Sequence, residues 1–360
     1  MATNQSLNEL RIGIDQLDAQ VQNLITERAN LAKQVAQAKG KEKSLKIYRP
    51  SREAEVLHNV IARNQGPLPN EVLTRIFREI ISGCLALQRT LNVAFLGPAG
   101  TYSQAAVVKH FGHSVQTVPQ QTIGEVFREV EAGTAQYGVV PIENSTEGGV
   151  NETLDCFINS PLKICGEIEL PIHHCLLSMN DGLGQVKRIY AHQQSFAQCR
   201  LWLDSHLPSI ERIAVNSNAE GAQRAITEEG VAAIAGIAAA EIYKLQIVAS
   251  RIEDNVNNTT RFAVIGKQNV PPTDTDKTSL LLSNSNKPGT LYQLLEPFSE
   301  NEINMTRIES RPTQQGIWEY VFFIDLEGHI EDASISKAMQ ALKKHTSLLK
   351  HLGSYPSAIS

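Results

Sequence analysis

Cysteine is scarce in this 360-residue chain: Cys84, Cys156, Cys165, Cys175 and Cys199 make an odd number, with no Cys-x-x-Cys spacing. Neither a disulfide framework nor a cysteine zinc site is indicated, and a reducing cytoplasm is the expected compartment. No apolar run approaches the roughly 20 residues that a membrane helix needs, so no membrane is expected. From Met1-Ala2-Thr3-Asn4-Gln5 the chain passes straight into a charged amphipathic pattern, without the basic and apolar regions of a secretion signal. Charge of one sign is also lacking, and the small net of −5 gives no reason to expect nucleic acid as a partner. His173-His174-Cys175 is a poor metal candidate, because strand neighbours face opposite ways; no metal and no cofactor are expected.

The length is too great for one core and implies two to four units. Ser6-Leu7-Asn8-Glu9 has capping-box spacing and predicts a helix running to about Lys39. Leu10, Leu17, Leu24, Leu31 and Ala38 recur every seven residues, with Leu7, Ile14, Val21 and Val35 as a second apolar row. Arg28 interrupts that second row; a guanidinium in an apolar seam calls for an anion, the plainer alternative being that it snorkels or pairs with a carboxylate of its own helix. Lys39 lies eleven residues further on the same face, roughly 16 Å away, so both side chains can reach one small ligand. Arg11, seventeen residues before Arg28 and roughly 25 Å off, can share that ligand only from an antiparallel partner chain. Shorter helices are predicted from Ser51 to Asn64 and from Glu71 to about Thr90. They cannot cover a helix of roughly 50 Å, so a homodimer or higher homo-oligomer is expected to bury the rest of the seam.

From Leu91 the period changes to alternating strands and helices, the pattern of a doubly wound α/β unit. Tyr137-Gly138-Val139-Val140 reads as a buried parallel strand, and Pro141-Ile142-Glu143-Asn144-Ser145-Thr146-Glu147-Gly148-Gly149-Val150 falls at its end, before a helix from Gly149 to Ile158. Such strand ends bind ligands in open α/β sheets, and these side chains suit a small polyfunctional anion; Ser145 or Thr146 serving only as a helix cap is the plainer alternative. Extended runs at 163–179 and 250–260 imply two α/β lobes joined by two crossings, near 168–175 and 250–260. A polar, proline-bearing stretch at 269–276 marks a boundary, and beyond it the order is βαββαβ, that of a ferredoxin-like module.

Taken together, Gly97-Pro98-Ala99-Gly100-Thr101-Tyr102-Ser103, Ile142-Glu143-Asn144, His192 with Gln198-Cys199, and Thr260-Arg261-Phe262 resemble the dehydratase motifs of the bifunctional chorismate mutase/prephenate dehydratases. Pro288-Gly289-Thr290-Leu291 and Glu309-Ser310-Arg311-Pro312 resemble the two signals of an ACT domain, and the resemblance spans essentially the whole chain. It implies a multidomain fold: all-α mutase helices in 1–90, a two-lobed, periplasmic-binding-protein-like α/β dehydratase in 91–268, and a ferredoxin-like ACT domain in 276–360.

For the mutase the resemblance implies that Arg11, Arg28, Arg52 and Glu53 bind chorismate while Lys39 and Gln88 stabilise the ether oxygen of a pericyclic rearrangement. Arg49 and Cys84 stand where some members carry an acidic residue and a serine. For the dehydratase it implies Thr260 as the group that helps the ring hydroxyl of prephenate leave, with Glu143, Asn144, Ser145, Gln198 and Arg261 holding the substrate. Ala191 and Gln193 replace the serine and proline usual beside His192. For the ACT domain it implies phenylalanine as feedback inhibitor, bound by Pro288, Gly289, Thr290, Leu291, Glu309, Ser310, Arg311 and Pro312. The competing readings are a dehydratase whose N-terminal helices serve only dimerisation, and a non-catalytic amino acid binding protein.

Overall fold

The computed structural model describes residues 6–38, 48–284, 287–312 and 320–359. Helix α1 (Leu7–Ala38) opens on the expected capping box: Ser6 N donates to Glu9 Oε2 at 2.8 Å and Glu9 N to Ser6 Oγ at 3.3 Å. No residue of α1 is buried, and its heptad leucines face outward, Leu24 at 63% exposure. Helices α2 (Pro50–Arg63) and α3 (Asn70–Ala86) pair with each other, and α1 packs on α3. Helix α3 stops at Ala86, short of the expected Thr90, which leaves Gln88 in the closing turn.

The first lobe is built from β1 (Asn92–Leu96), α4 (Tyr102–Phe111), β2 (Gln116–Gln120), α5 (Ile123–Ala132), β3 (Tyr137–Asn144), β4 (Gly148–Gly149), α6 (Asn151–Asn159) and β5 (Lys163–Pro171). The second holds β6 (Cys175–Ser178), β7 (Arg188–His192), α7 (Gln193–Gln198), α8 (Arg200–His206), β8 (Glu211–Val215), α9 (Asn218–Thr227), β9 (Val231–Ala235), α10 (Ile237–Tyr243) and β10 (Gln246–Ala249). The chain then returns to the first lobe as β11 (Thr259–Gly266), giving strand orders β2-β1-β3-β11-β5 and β10-β6-β9-β7-β8. Two crossings at 172–174 and 250–258 join the lobes, tied by Ile172 N to Asn258 O at 2.8 Å and Ile252 N to His174 O at 2.9 Å. Strands β2 and β10 and helix α10 are not evident in the sequence pattern, and one expected helix is two, α7 and α8.

The polar stretch at the end of β3 differs from expectation. The strand is parallel to β1 on one side but antiparallel to β11 on the other, and it continues through Asn144. Gly148-Gly149 folds back on it as β4, with Glu143 opposite Gly149, instead of opening a helix. Helix α6 begins at Asn151 with no side-chain cap, so Ser145 and Thr146 are not its N-cap.

The C-terminal module comprises β12 (Asp276–Ser283), α11 (Thr290–Glu300), β13 (Met305–Pro312), β14 (Tyr320–Glu327), α12 (Ala333–Leu342) and β15 (Leu348–Pro356), in strand order β13-β14-β12-β15. One face of its sheet packs under α11 and α12 through Leu280, Leu282 and Ile324. The other face, through Leu281, Val321, Phe323, Leu352 and Tyr355, joins the same core as Phe127, Leu154 and Phe157 of the first lobe. Tyr48 does the equivalent for the N-terminal helices, with ring centroids 5.1 Å from Phe111 and 5.3 Å from Tyr137. Shared apolar cores therefore fasten both outer modules to the first lobe.

Strand β15 crosses β5 at Gly353, where a Cβ would stand 2.2 Å from Ile164 O. Gly353→Ala is expected to push the C-terminal module off the lobe at a cost of about 2 kcal/mol or more. Thermal unfolding and limited proteolysis around 268–275 measure it, and wild-type behaviour in both contradicts this docking.

Candidate active site

Between the lobes lies a cleft of about 790 Å3 whose lining includes Gly100, Thr101, Asn144, His174, His192, Ser195, Gln198, Ser217, Asn218, Thr260 and Phe262. Thr101 caps α4 by accepting from Gln104 N, and Ser217 caps α9 by accepting from Glu220 N. Both helices thus aim their amide-rich ends at the cleft, a setting that favours an anion. Asn218 ties this wall together: its Oδ1 accepts from His192 N at 2.9 Å and its Nδ2 donates to Ser195 Oγ at 2.7 Å. None of the described lining residues is a lysine or arginine.

The floor is a side-chain network spanning both lobes. Register places Thr260 opposite Asn144, and Asn144 Nδ2 donates to Thr260 Oγ1 at 2.8 Å and to Asn258 Oδ1 at 3.0 Å. Asn144 Oδ1 accepts from Thr146 N at 3.0 Å, so Asn144 is consumed by the protein itself. Asn258 Nδ2 in turn donates to Gln198 Oε1 at 3.2 Å, where His174 Nε2 also stands at 2.9 Å. Burial lowers the pKa of His174, with the Gln198 bond opposing, which favours the neutral ring. The Tyr102 hydroxyl lies 2.9 Å from His174 Nδ1 and 2.8 Å from the His173 carbonyl. Glu253, buried in the other crossing, accepts from His174 N at 2.8 Å and contacts His173 Nδ1 at 2.8 Å.

These bonds direct what remains free. Gln198 Oε1 has two donors, which turns its amide NH2 toward the cleft. Thr260 Oγ1 already accepts from Asn144, which leaves its proton for a ligand. The site offers hydrogen-bond donors and backbone amides to an anion, in place of the expected guanidinium.

That guanidinium is elsewhere. Adjacent strand residues face opposite ways, so Arg261 and Glu143 lie behind the pair that faces the cleft. Arg261 Nη2 stands 2.6 Å from Asp325 Oδ2 and 3.2 Å from Glu143 Oε2, and neither residue lines the cleft. Arg261 and Glu143, expected to hold the substrate, thus stand outside the cleft lining and against the C-terminal module. Ser145 stays at the crossing, its Oγ accepting from Thr259 N at 3.0 Å. Asn258, His174 and Glu253 were missed; all three sit in the two crossings, outside regular strands, where periodicity gives no signal.

In the C-terminal module, Ser283 and Arg311 both pair with Val321, so the start of α11 and the end of β13 lie at one end of the sheet. Pro288, Gly289 and Leu291 are exposed, and Gly289 supplies the left-handed turn, φ 86°, before α11; Thr290 is that helix's first residue. Along β13, alternation separates the second motif. Arg311 Nη2 bonds both Asp155 oxygens at 3.0 and 3.1 Å and Glu309 pairs with Arg307 at 3.0 Å, both toward the catalytic lobe, whereas Ser310 and Pro312 are exposed. Glu309 and Arg311, expected as ligand contacts, are thus engaged by protein in this structure.

The expected mutase residues are less closely gathered. Arg11 and Arg52 are exposed, Arg52 pairing with Glu55 at 2.7 Å; Arg28 and Gln88 are half-buried, and Lys39 lies outside the described residues. Glu53, expected to bind chorismate, points into the junction with the first lobe, 3.4 Å from Arg78 and beside Tyr48. Burial drives the Glu53 carboxyl up to about 7, with Arg78 opposing. A carboxyl whose folded pKa exceeds its unfolded one contributes stability below the unfolded value and loses it as pH rises through the folded one. The stake is on the order of 3 kcal/mol. Glu53→Gln is expected to flatten the fall in melting temperature between about pH 5 and pH 8; parallel wild-type and variant profiles contradict a buried titrating Glu53.

A hinged α/β cleft rich in donors, carried between a helical module and a ferredoxin-like one, defines a multidomain enzyme for a small anionic substrate. Three family models match in the same order: chorismate mutase type II at 10–89, prephenate dehydratase at 93–270 and the ACT domain at 278–344. The bifunctional chorismate mutase/prephenate dehydratases of Stutzerimonas stutzeri and Pseudomonas aeruginosa are 52% and 51% identical, each over 100% of both chains. The crystal structure of a prephenate dehydratase from Arthrobacter aurescens in complex with L-Phe has a TM-score of 0.68 at 34% identity, covering 74% of this chain and 90% of that one. The chain belongs to the bifunctional chorismate mutase/prephenate dehydratase family.

Proposed function

We propose that the protein rearranges chorismate to prephenate in its N-terminal helices and converts prephenate to phenylpyruvate in the interlobe cleft, under feedback control by phenylalanine. The module boundaries are 1–90, 91–268 and 276–360. The observation that supports the dehydratase assignment best is the Asn144–Thr260 bond, which leaves the threonine proton facing the cleft.

In dehydration the C–C bond to the ring carboxylate breaks and releases carbon dioxide. Its electron pair enters the ring, and the C–O bond to the ring hydroxyl breaks as one proton is taken up to form water. A threonine is a poor acid, so Thr260 donates a hydrogen bond that strengthens as charge builds on the departing oxygen. Gln198 NH2 and the amides of α4 and α9 hold the carboxylates. In the mutase the rearrangement needs no acid or nucleophile: Arg11, Arg28 and Arg52 clamp the carboxylates, and Lys39 and Gln88 bond the ether oxygen. The exposed heptad rows of α1 support an antiparallel homodimer in which Arg11 comes from the partner. Phenylalanine contacts fall to Pro288, Gly289, Thr290, Leu291, Ser310 and Pro312, with the α11 amides facing its carboxylate. Five free thiols support a reducing, cytoplasmic setting.

Thr260→Ala is expected to reduce prephenate dehydration at least a hundredfold with mutase activity intact, while Thr259→Ala leaves both; a two-substrate assay of each variant, with and without phenylalanine, checks this. No prephenate from chorismate in that assay establishes instead a dehydratase with a helical dimerisation module. Gln88 is a neutral donor at every working pH, so Gln88→Glu is expected to confine mutase activity to acidic pH. An unchanged pH profile removes Gln88 from the ether-oxygen role.

A further inference from the structure

The donor character of the cleft floor traces back to one backbone amide. Thr146 N donates to Asn144 Oδ1 at 3.0 Å, and a main-chain N–H cannot act as an acceptor, so the orientation of the Asn144 carboxamide is fixed. Its Nδ2 is left to face Thr260 Oγ1 at 2.8 Å and Asn258 Oδ1 at 3.0 Å. Asn258 therefore meets Asn144 with its oxygen, which turns its own Nδ2 to Gln198 Oε1 at 3.2 Å. With Oε1 so occupied, NH2 is what the Gln198 side chain has left for the cleft it lines. The three carboxamides run head to tail from β3 of the first lobe, through the crossing at 250–258, to α7 of the second lobe.

Asn258 is the link that does not reach the ligand space. It is 2% exposed and is not among the described residues that line the cleft. Thr146 Oγ1 also stands 3.1 Å from its Oδ1. Its main chain is pinned, because Ile172 N of the other crossing donates to Asn258 O at 2.8 Å. The same segment grips Gln198 twice: Asp254 N donates to the Gln198 carbonyl at 2.7 Å, and Asn258 donates to its side chain. A carboxamide supplies both an acceptor for Asn144 and a donor for Gln198, which a carboxylate cannot do. Two oxygens left facing each other in this buried place lose the bond and stay desolvated, and turning the Gln198 amide over relieves them.

We propose that Asn258 is a positioning residue for the dehydratase: its carboxamide passes the polarity set at Asn144 on to Gln198, so that Gln198 presents NH2, and not oxygen, to a substrate carboxylate. An oxygen there repels the anion, so Asn258 acts on substrate affinity through Gln198 and leaves the Asn144–Thr260 bond in place. This inference rests on the reading of Gln198 as a substrate contact. The titratable groups beside the relay are His174, whose Nε2 is 2.9 Å from Gln198 Oε1, Glu253, which accepts from His174 N at 2.8 Å, and Tyr102, 2.9 Å from His174 Nδ1. Their own titration is present in the wild-type profile, against which each variant is compared.

The test uses the full-length protein and measures, on one preparation of each variant, mutase rate and the pH dependence of dehydration kcat and KM, with the uncatalysed rate subtracted. Asn258→Asp is nearly isosteric. Ionised, the new carboxyl still accepts from Asn144 but turns Gln198 over, and KM is expected to rise about tenfold or more with kcat within about threefold and mutase rate unchanged. Protonated, it donates to Gln198 Oε1 as the carboxamide does, so KM is expected to return toward the wild-type value as pH falls. Asn258→Ser, which carries no charge, is expected to raise KM about threefold or more at every pH. Gln198→Ala is expected to raise KM about as much as ionised Asn258→Asp, and the double variant to add little to either. If Gln198→Ala keeps the wild-type KM, the substrate contact itself fails. If Gln198→Ala raises KM while Asn258→Asp and Asn258→Ser both match the wild type, the positioning role is overturned. A pH-independent loss in Asn258→Asp, additive effects in the double variant, or loss of mutase together with dehydratase activity in both Asn258 variants also overturns it, because the residue then serves only the fold.

Discussion

The antiparallel pairing of β3 with β11 is the constraint on which the rest of this molecule depends. It sets Asn144 against Thr260 on one face and Glu143 against Arg261 on the other, and the two faces serve different partners. The first pair floors a cleft between two lobes, and the second is buried against the regulatory sheet. β11 is also the strand on which the chain returns from the second lobe, so one ladder joins both lobes and the C-terminal module.

Around that ladder the chemistry is governed by saturation. Asn144 Oδ1 accepts from Thr146, Asn258 Oδ1 from Asn144 and Gln198 Oε1 from Asn258, so what remains for a substrate is a set of donors. An anion held by neutral donors and helix amides escapes the desolvation cost of a buried cation, and the donors need no reorganisation when charge develops on a leaving oxygen. Arginines are present in number nearby, but they are spent on holding modules together. Arg261 reaches Asp325, Arg307 reaches Glu143 and Arg311 reaches Asp155. The outer modules use apolar anchors as well, Tyr48 on one side and Tyr355 on the other, which ties both to a single lobe.

Much of this organisation was legible from residue order. The capping box at Ser6, the heptad rows, the change of period at Leu91 and the boundary at 269–276 all follow from local pattern, and local pattern fixes helices and strand types. The motifs named stretches that the structure places along the cleft, Asn144, Gln198 and Thr260 among them. Where a motif reads as one cluster, the structure divides it. Adjacent residues in Glu143-Asn144, Thr260-Arg261 and Glu309-Ser310 were assigned together, and strand pleating sends them to opposite faces. Gly148-Gly149 was read as a helix opening because turn signals do not reveal which way the chain goes next; here it folds back as a short strand on β3.

By itself the sequence determined the three-module order, the long amphipathic first helix and the threonine and amide side chains of the interlobe cleft. These depend on residue type, spacing and periodicity, all local properties. Only the tertiary structure decided that Arg261 and Glu143 belong to the regulatory contact, that Glu53 is shut into a junction with Arg78, and that Asn258 and His174 complete the floor. Those outcomes turn on which face of a strand meets which neighbour more than a hundred residues away, and strand register between distant segments is not written in either segment alone.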